Sequence, residues 1–522
     1  MAEHAGFFAI ADAFPDRAAL VDSRDDPVSY GELAARMNQV ARGLAALDVG
    51  PGDTVAVVMS NRAELIEAYG AAMQTGLTFV AVNWHLGEAE IAYILQDAGA
   101  KALIVEAQFA DSARAAADQV SLPESSRFSV DDRAGFRPYA ELLDGHSGDE
   151  LAERRAGQIM FYTSGTTGRP KGVRKQFPET SPDEIELRTG IGVRGPLPLA
   201  PDDVWPADTV TLVGGPCYHA APIASAVMAL DTGSLVILMG KWTPEGFLEL
   251  VREHRVTHAS MVPTMFHRLL ALPDDLRAGA DVSSLQFVMH AGAPCPIDVK
   301  RRMIAWWGPI ITESYSSTEG AGTTVTAEEW LRKPGTVGRP SPGVEITIVD
   351  DDGNECAPGA PGLVYLTQTM WKFDYHNDAD KTASNRRGDL FTVGDIGYLD
   401  EDGYLFLCDR QADIVISGGV NIYPAEVEAA LLEHPAVADA TVVGAPNDEW
   451  GEEVRAVVQP EVGVAAGPDL EAQLIDFCQE RLAHYKCPRA IDFVESLGRD
   501  PNGKLPKRAI RDRYWEGRAR KI

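Results

Sequence analysis

The chain has 522 residues, of which 45% are hydrophobic and 24% are charged, a composition typical of a globular protein with about two to four domains. Its 47 Lys and Arg residues stand against 77 Asp and Glu residues, so the formal net charge is −30 at pH 7. This acidic excess argues against nucleic acid or an anionic membrane as the main partner, because both would repel the chain. It leaves room for a locally basic pocket that binds phosphates.

The cysteines are scattered, with no Cys-x-x-Cys pair and no histidines at metal-ligand spacing. They are Cys217, Cys295, Cys356, Cys408, Cys478 and Cys487. This pattern predicts reduced thiols in a cytoplasmic protein rather than a disulfide framework or a zinc site. Residues 1–17 lack a basic segment, so no signal peptide is expected. The uncharged run 209–230 is broken by Pro216 and Pro222 and therefore predicts strand, turn and helix rather than a membrane span.

The first third of the chain alternates between helical and strand patterns. Residues 29–47 place Leu33, Met37, Val40 and Leu44 at helical spacing. Further helices are predicted at 63–74 and 88–96, and strands at 54–59, 77–82 and 102–105. Apolar strands separated by helices predict a parallel α/β sheet. Residues 111–157 are polar and alanine-rich, which predicts surface helices and loops.

The sequence YTSGTTGRPKG, residues 162–172, follows an apolar strand and is rich in Gly, Ser and Thr. Glycines allow a concave loop whose N–H groups point at one anion, hydroxyls add donors, and Lys171 adds a charge suited to phosphate. The pattern is neither a Walker loop, since Pro170 precedes Lys171, nor a dinucleotide fingerprint. It indicates a polyphosphate cradle, although composition alone is also compatible with a flexible surface loop.

Residues 174–206 are rich in proline and charge and predict an irregular connection with one short helix at 183–188. Strands are then predicted at 235–238, 259–261, 287–290 and 310–311, and helices at 243–254, 263–270 and 296–307. After about residue 335, short strands and Asp-Gly and Pro-Gly turns predict an antiparallel β subdomain. A separate module follows Arg410, with helices at 424–433 and 470–482 and strands at 440–443 and 454–458.

Four later segments are polar enough to suggest chemistry, although each also fits an ordinary turn or linker. Residues 313–320, ESYSSTEG, place carboxylates near a strand end, where a divalent cation could lie beside phosphates. Asp395 follows Gly394 and could accept both hydroxyls of a ribose. Residues 409–421 combine a charged junction with a Gly pair and predict an interdomain hinge. Residues 501–507, PNGKLPK, place Lys504 on a turn.

Together, these segments resemble the adenylate-forming superfamily of acyl-CoA synthetases, luciferases and carrier-loading adenylation domains, and the resemblance covers essentially the whole chain. It implies a multidomain α/β fold, with a large N-terminal domain of α/β subdomains plus a β subdomain over residues 1–409. A hinge at 410–413 and a small mobile α+β C-terminal domain over 414–522 would follow. The activity implied is ATP-dependent synthesis of acyl-CoA through an acyl-AMP intermediate.

The resemblance also implies roles for individual residues. The phosphates of ATP would contact Thr163, Ser164, Gly165, Thr166, Thr167, Gly168, Lys171 and Thr318. Mg²⁺ would bind Glu319, and the adenosine would contact Gly292, Ala293, Pro294, Tyr315, Asp395 and Arg410. Lys504 would reach the substrate carboxylate and the α-phosphate, and Gly418 and Gly419 would line the CoA tunnel. The expected partners are a carboxylic acid, ATP and CoA, without nucleic acid; a homodimer is allowed but not indicated.

Three departures from the family pattern matter. The hinge position, usually Lys or Asp, is Ala412 followed by Asp413, which leaves the pivot open. Ser316 replaces a glycine that borders the acyl pocket, and Val393 replaces a threonine before Gly394.

His219 matches a position near the acyl pocket, where a buried structural histidine is an equal alternative; His85 and His290 are interpreted as structural.

Three functions compete at this stage: acyl-CoA ligase, loading of a carrier protein, and a non-catalytic scaffold. The segment 218–222 lacks the acidic residue with which amino-acid-activating relatives bind an α-amino group, so an α-amino acid is disfavoured. The sequence retains the residues to which the resemblance gives catalytic and binding roles, which disfavours a scaffold. They are Glu319, Asp395, Arg410 and Lys504. Apolar, small residues at 220–227, 262–265 and 290–292 favour an alkyl, aryl or alicyclic acid, with a fatty acid preferred.

Overall fold

The structure is a computed structural model that describes residues 6–163 except 25, 170–176, 182, 208–367 except 321, 372–499 except 419, and 505–517. Several predicted positions lie outside these described residues. They are Ser164, Gly165, Thr166, Thr167, Gly168, Gly419, Lys504 and the helix at 183–188.

The first sheet has eight strands in the order β19-β9-β8-β4-β3-β5-β6-β7. Its strands are β3 (Thr54–Val58), β4 (Thr78–Ala81), β5 (Ala100–Glu106), β6 (Arg127–Val130), β7 (Arg137–Pro138), β8 (Gln158–Thr163), β9 (Lys171–Gln176) and β19 (Lys372–Tyr375). The strands from β8 to β7 are parallel, whereas β9 pairs antiparallel with both β8 and β19. All five residues of β3 are buried, which fits a central strand covered on both faces.

The second sheet has nine strands in the order β16-β15-β14-β13-β12-β10-β11-β1-β2. Its strands are β1 (Ala18–Val21), β2 (Val28–Ser29), β10 (Val210–Val213), β11 (Leu235–Leu238), β12 (His258–Met261), β13 (Phe287–His290), β14 (Ile311–Tyr315), β15 (Thr323–Thr326) and β16 (Arg339–Pro340). Its centre is parallel and both edges are antiparallel. The parallel strands therefore end at a common edge, where side chains from several strands can meet.

Helices cover both sheets. They are α1 (Phe7–Ala13), α2 (Tyr30–Ala45), α3 (Ala63–Thr75), α4 (Glu88–Asp97), α5 (Ala110–Gln119), α6 (Ala220–Leu230), α7 (Pro244–Glu253), α8 (Pro263–Leu270), α9 (Asp274–Gly279), α10 (Ile297–Trp307), α11 (Ala327–Arg332) and α12 (Ala379–Ser384), with 3-10 turns at Ala107–Phe109, Glu124–Ser126 and Tyr139–Leu142. Helix α2 begins with a capping box formed by Ser29 and Glu32. Its predicted apolar stripe is buried in one core that joins the two sheets.

A third, antiparallel sheet forms the β subdomain. Its strands are β17 (Ile346–Val349), β18 (Gly362–Thr367), β20 (Arg386–Arg387), β21 (Leu390–Phe391), β22 (Asp395–Leu399) and β23 (Leu405–Arg410). Strands β22 and β23 pair so that Asp395 lies opposite Arg410. The predicted antiparallel subdomain after residue 335 is confirmed.

The C-terminal part has its own sheet and its own hydrophobic core. Its elements are β24 (Val415–Ser417), β25 (Val420–Ile422), α13 (Pro424–Leu432), β26 (Val437–Asn447), β27 (Gly451–Pro460), α14 (Pro468–Gln479), a 3-10 turn at His484–Lys486, β28 (Ala490–Phe493) and α15 (Lys507–Tyr514). The Ala425 N–H, in the first turn of α13, donates to the Asp409 carboxylate at 2.8 Å, which joins this part to β23. No helix within the described ranges combines the length and the apolar character needed to cross a bilayer.

Most predicted elements are present within a few residues of their predicted bounds, but three expectations were wrong. Residues 127–130 form a buried strand, not a surface loop; Arg127 is buried because its guanidinium bonds the Leu122 carbonyl and Asp118. The strand predicted at 310–311 continues through Tyr315, since β13 and β15 flank it on both sides. Residues 171–176 form a strand between β8 and β19, whereas the sequence predicted loop and irregular chain there.

Candidate active site

Tyr315, Asp395 and Arg410 meet where three strands end or begin. The Tyr315 hydroxyl donates to Asp395 Oδ2 at 2.6 Å, and Arg410 Nε lies 3.3 Å from Asp395 Oδ1. Burial, reinforced by Asp395, raises the pKa of Tyr315, so its hydroxyl keeps the proton that it donates. Asp395 is 7% exposed, whereas the Arg410 side chain is 58% exposed. A buried carboxylate held from both sides is suited to accept hydroxyl groups of a ligand.

Glu319 is a buried carboxylate at the next turn after β14. Its Oε1 accepts a hydrogen bond from the Tyr375 hydroxyl at 2.9 Å, and Asn385 Nδ2 donates to the same hydroxyl at 3.2 Å. Burial first, and then Glu319, raises the pKa of Tyr375. Thr318 lies half-buried beside Glu319, and Ser316 is exposed. The turn is closed by hydrogen bonds in both directions between the backbones of residues 317 and 320.

Lys171 begins β9 directly opposite Thr163, the last residue of β8. Its Nζ lies 3.1 Å from Asp378 Oδ2 and 5.9 Å from the ring centroid of Tyr375. Tyr375 therefore contacts both Lys171 and Glu319, two residues that are far apart in the chain. The N–H of Lys381 and the ammonium of Lys171 lower the pKa of Asp378, so Lys171 is held by a carboxylate beside the loop that the sequence assigned to phosphates.

Residues 291–294 connect β13 to α10. The Ala291 N–H donates to the Met261 carbonyl at 3.3 Å, and Gly292 adopts φ 87°, a left-handed conformation that favours glycine. Gly292 and Pro294 are exposed and Ala293 is half-buried. The segment predicted to flank adenine is therefore a partly exposed connection that follows the end of β13.

A buried charged cluster lies beneath this loop. Lys300 of α10 is fully buried, its Nζ lies 2.5 Å from Glu313 Oε2 of β14, and it lies 4.9 Å from the ring of Trp330. His290 Nε2 lies 3.6 Å from the same carboxylate oxygen. Burial lowers the pKa of His290 far below its ordinary value, so this histidine is neutral. Glu313 is thus engaged by Lys300, which leaves Glu319 as the carboxylate of segment 313–320 that adjoins the predicted phosphate site.

His219 caps the start of α6 at the end of a loop that follows β10. Its ring lies 4.5 Å from that of Tyr218, whose ring lies 6.1 Å from Trp84; Trp84 stacks on Phe109 at 4.8 Å. These aromatic side chains come from strand ends of both sheets. These ring contacts give His219 an aromatic setting, which fits both a position near the acyl pocket and a structural role.

The residues predicted to form the hinge, 410–413, lie in a short turn at the end of β23. The Asp413 N–H donates to the Arg410 carbonyl at 2.9 Å, and the exposed Ala412 carbonyl accepts from Arg511 of α15 at 2.8 Å. Gly418 has φ 58°, and a Cβ at this position would meet the Trp450 ring at 2.5 Å. Substitution of Gly418 would therefore displace either Trp450 or this loop.

Sequence reasoning missed the residues that support the site. Tyr375 and Asp378 belong to a polar run, DYHND, at 374–378, which was a usable signal because the run spans the end of strand β19 and the turn before helix α12. Asn61 was also missed; it is 3% exposed and bonds three backbone groups across the two sheets. No local pattern marks Asn61, since its partners lie more than 150 positions away.

Comparisons with known proteins identify the family. The model of the AMP-binding enzymes matches residues 7–370, and that of the AMP-binding enzyme C-terminal domain matches residues 426–504. The chain therefore belongs to the AMP-binding enzymes, an adenylate-forming superfamily, and the resemblance drawn from the sequence is confirmed.

Similar proteins cover nearly the whole chain. A fatty acid–[acyl-carrier-protein] ligase from Streptomyces coeruleorubidus is 31% identical over 95% of this chain and 93% of its own length. A 2-succinylbenzoate–CoA ligase from Bacillus licheniformis is 33% identical over 96% and 98%. The structure of o-succinylbenzoate coenzyme A synthetase from Bacillus subtilis, in complex with ATP and magnesium ion, matches with a TM-score of 0.80 and 29% identity over 96% of this chain and 98% of that one. The mixed α/β multidomain fold is thus confirmed.

Proposed function

We propose that this protein is an ATP-dependent carboxylate–CoA ligase. The carboxylate oxygen attacks the α-phosphorus of ATP, which forms acyl-AMP and releases pyrophosphate. The CoA thiol then attacks the acyl carbon, which forms the thioester and releases AMP and the thiol proton. The observation that supports the proposal is a pair of contact groups: Tyr375 contacts both Lys171 and Glu319, and Tyr315 and Arg410 both contact Asp395.

In this proposal, Asp395 accepts the ribose hydroxyls, and Tyr315 and Arg410 hold that carboxylate in place. Gly292, Ala293 and Pro294 flank the adenine together with the ring of Tyr315. Thr163, Thr318 and Lys171, with the loop residues 164–168, bind phosphate oxygens. Lys171 offsets negative charge as a carboxylate and a triphosphate approach each other, and Asp378 holds Lys171 until a phosphate competes for it.

Glu319 fits a magnesium site. It is a buried carboxylate beside the predicted phosphate site, and Mg²⁺ in phosphate-binding proteins often takes one or two carboxylates together with substrate phosphates. Bound there, the ion would neutralise charge on the phosphates. Tyr375 would orient Glu319 through its hydrogen bond to Oε1.

The second half-reaction is assigned to the C-terminal domain, residues 414–522. Lys504 serves adenylation by contacting the substrate carboxylate and the α-phosphate. Rotation at 410–413, with Ala412 or Asp413 as the pivot, then replaces Lys504 with the loop of Gly418 and Gly419, past which the thiol enters. One site thereby serves two reactions.

The substrate proposed is a fatty or related apolar acid, bound near His219 and Ser316. The aromatic surroundings of His219 and the apolar neighbouring segments support this choice. A cytoplasmic location is also proposed, because all six cysteines are free thiols.

A second candidate function is the loading of a carrier protein instead of CoA. It is favoured by one relative, which is named a fatty acid–[acyl-carrier-protein] ligase. The decisive experiment measures pyrophosphate release over a panel of carboxylic acids, and then product formation with CoA, without CoA, or with holo carrier protein. Thioester formation with CoA supports the ligase. Transfer only to the carrier selects the alternative, and absence of release with every acid overturns both.

Substitution of Lys504 tests whether this residue serves adenylation but not thioester formation. Lys504→Ala should slow acyl-AMP formation on the order of 10²–10³-fold, because the variant lacks the ammonium group that would stabilise negative charge on the α-phosphate and the carboxylate. Thioester formation from supplied acyl-AMP should change far less. Arg508→Ala, which removes a nearby exposed cation of α15, is the control and should leave both steps near wild type. Equal losses of both steps in Lys504→Ala would overturn this role.

A further inference from the structure

Asn61 joins the first sheet to the loop that carries Tyr218 and His219. It follows β3 and is 3% exposed. Its Nδ2 donates to the Gly215 carbonyl at 2.8 Å and to the Met239 carbonyl at 3.1 Å. Its Oδ1 accepts from the Cys217 N–H at 2.8 Å. Two carbonyls and one N–H permit a single orientation of the amide, so the side chain is fully specified.

These hydrogen bonds fix the loop between β10 and α6 at residues just before Tyr218 and His219. Gly215 and Cys217 lie between β10 and His219, and Met239 directly follows β11. Asn61 therefore ties the ends of two strands of the second sheet to the end of β3. The two residues after Cys217 are Tyr218, whose ring lies 6.1 Å from that of Trp84, and His219, whose ring lies 4.5 Å from that of Tyr218.

We propose that Asn61 is a positioning residue that sets the wall of the acyl site by holding residues 215–217, and with them Tyr218 and His219. The inference rests on the proposed function for the identity of that wall. Loss of Asn61 should therefore weaken binding of the acid, while the proposed ATP-binding residues at the end of β14 and the start of β22 stay in place.

Kinetics separate this role from general stabilisation. Asn61→Ala should raise KM for the acid on the order of tenfold, because a shift of about 1 Å in a positioning segment is costly. KM for ATP should stay within about twofold of the wild-type value. Asn38→Ala is the matched control, because Asn38 is 4% exposed and bonds Gly148 and Gln74 in the same domain, away from this loop. It should leave both KM values unchanged.

Thiol labelling gives a readout that does not need the activity. Burial raises the pKa of both the Cys217 and the Cys478 thiols to about 12, so the two react slowly for the same reason. Asn61→Ala should accelerate alkylation of Cys217 on the order of tenfold, as followed by peptide mass spectrometry, while Cys478 in the C-terminal core should not change. Absence of pyrophosphate release by the wild type would overturn the proposed function, whereas this labelling would still test the loop.

Asn61→Asp is a second variant that keeps the size of the side chain. It retains an acceptor for the Cys217 N–H but places an oxygen against the carbonyls of Gly215 and Met239. The same rise in KM for the acid is expected. Equal changes in the two KM values, unchanged acid binding in a folded variant, or unchanged labelling of Cys217 in folded Asn61→Ala would each overturn the inference.

Discussion

Lys300 is a buried charge whose only neutralising partner among the described residues is Glu313, at 2.5 Å. Removing one member of such a pair leaves the other charge buried. Lys300→Met should therefore lower the free energy of unfolding by about 3–5 kcal/mol, measured by urea denaturation. The double variant Lys300→Met/Glu313→Gln should recover much of that loss, because no uncompensated charge stays in the core.

Lys333→Met is the matched control for Lys300. Lys333 also pairs with carboxylates, those of Asp400 and Asp402, but its side chain is 30% exposed and that of Asp402 is 60% exposed. Its loss should cost under about 1 kcal/mol. Equal losses in the single and double Lys300 variants would show that packing, not charge, accounts for the effect.

At the scale of residues, the structure places in contact two residues that were predicted to act together. Asp395 and Arg410 were assigned to one task from the sequence, and the structure brings them together. Tyr375 was not predicted, because its role depends on antiparallel pairing of β19 with β9, about 200 positions away. The role of the Tyr375 hydroxyl depends on the residues that it contacts, and tertiary packing determines which residues those are.

At the scale of elements, the turn after β23 is the predicted pivot. Ala412→Pro restricts φ and should hinder rotation, so thioester formation should fall by about tenfold or more while adenylation stays near wild type. Single-turnover assays of the two half-reactions measure this difference. Ala412→Ser, which keeps backbone freedom, is the control. If Ala412→Pro leaves thioester formation unchanged, the pivot lies at another residue.

Helices and central strands were predictable because their signals are local. Helix α2 shows its apolar stripe in the sequence, and the stripe is buried in the structure. Strand β6 was missed because Arg127 and Ser129 read as surface residues. Their polar groups are satisfied by the carbonyls of Leu122 and Val130 and by the Asp118 carboxylate. The hydrophobic periodicity of the sequence does not reveal these hydrogen bonds.

At the scale of the whole molecule, Asp409 links the β subdomain to α13. Burial raises its pKa from 3.8 to about 6. Since the folded pKa exceeds the unfolded one, the folded state binds the proton more tightly. The contribution of this group to stability is therefore greatest at low pH and falls as the pH rises from about 4 to about 6.

Asp409→Asn should remove that fall. Relative to the variant, the wild type should lose up to about 3 kcal/mol of unfolding free energy between pH 4 and pH 7, as measured by denaturant titrations at several pH values. Any hydrogen bond that the variant loses lowers its unfolding free energy by the same amount at every pH. Glu401→Gln, a change at an exposed carboxylate in the same region, is the control. Parallel pH curves for Asp409→Asn and the wild type would contradict the assignment.

The sequence alone determined the family, the order of its elements and the chemistry of its main motifs, because those depend on local patterns and on residue types in a fixed order. Tertiary structure decided that Tyr375 joins Lys171 to Glu319, that Lys300 engages Glu313, and that Asn61 reaches the loop before His219. These contacts join segments from different sheets and strands. The free energy of each contact depends on distances and burial that the sequence of one segment does not specify.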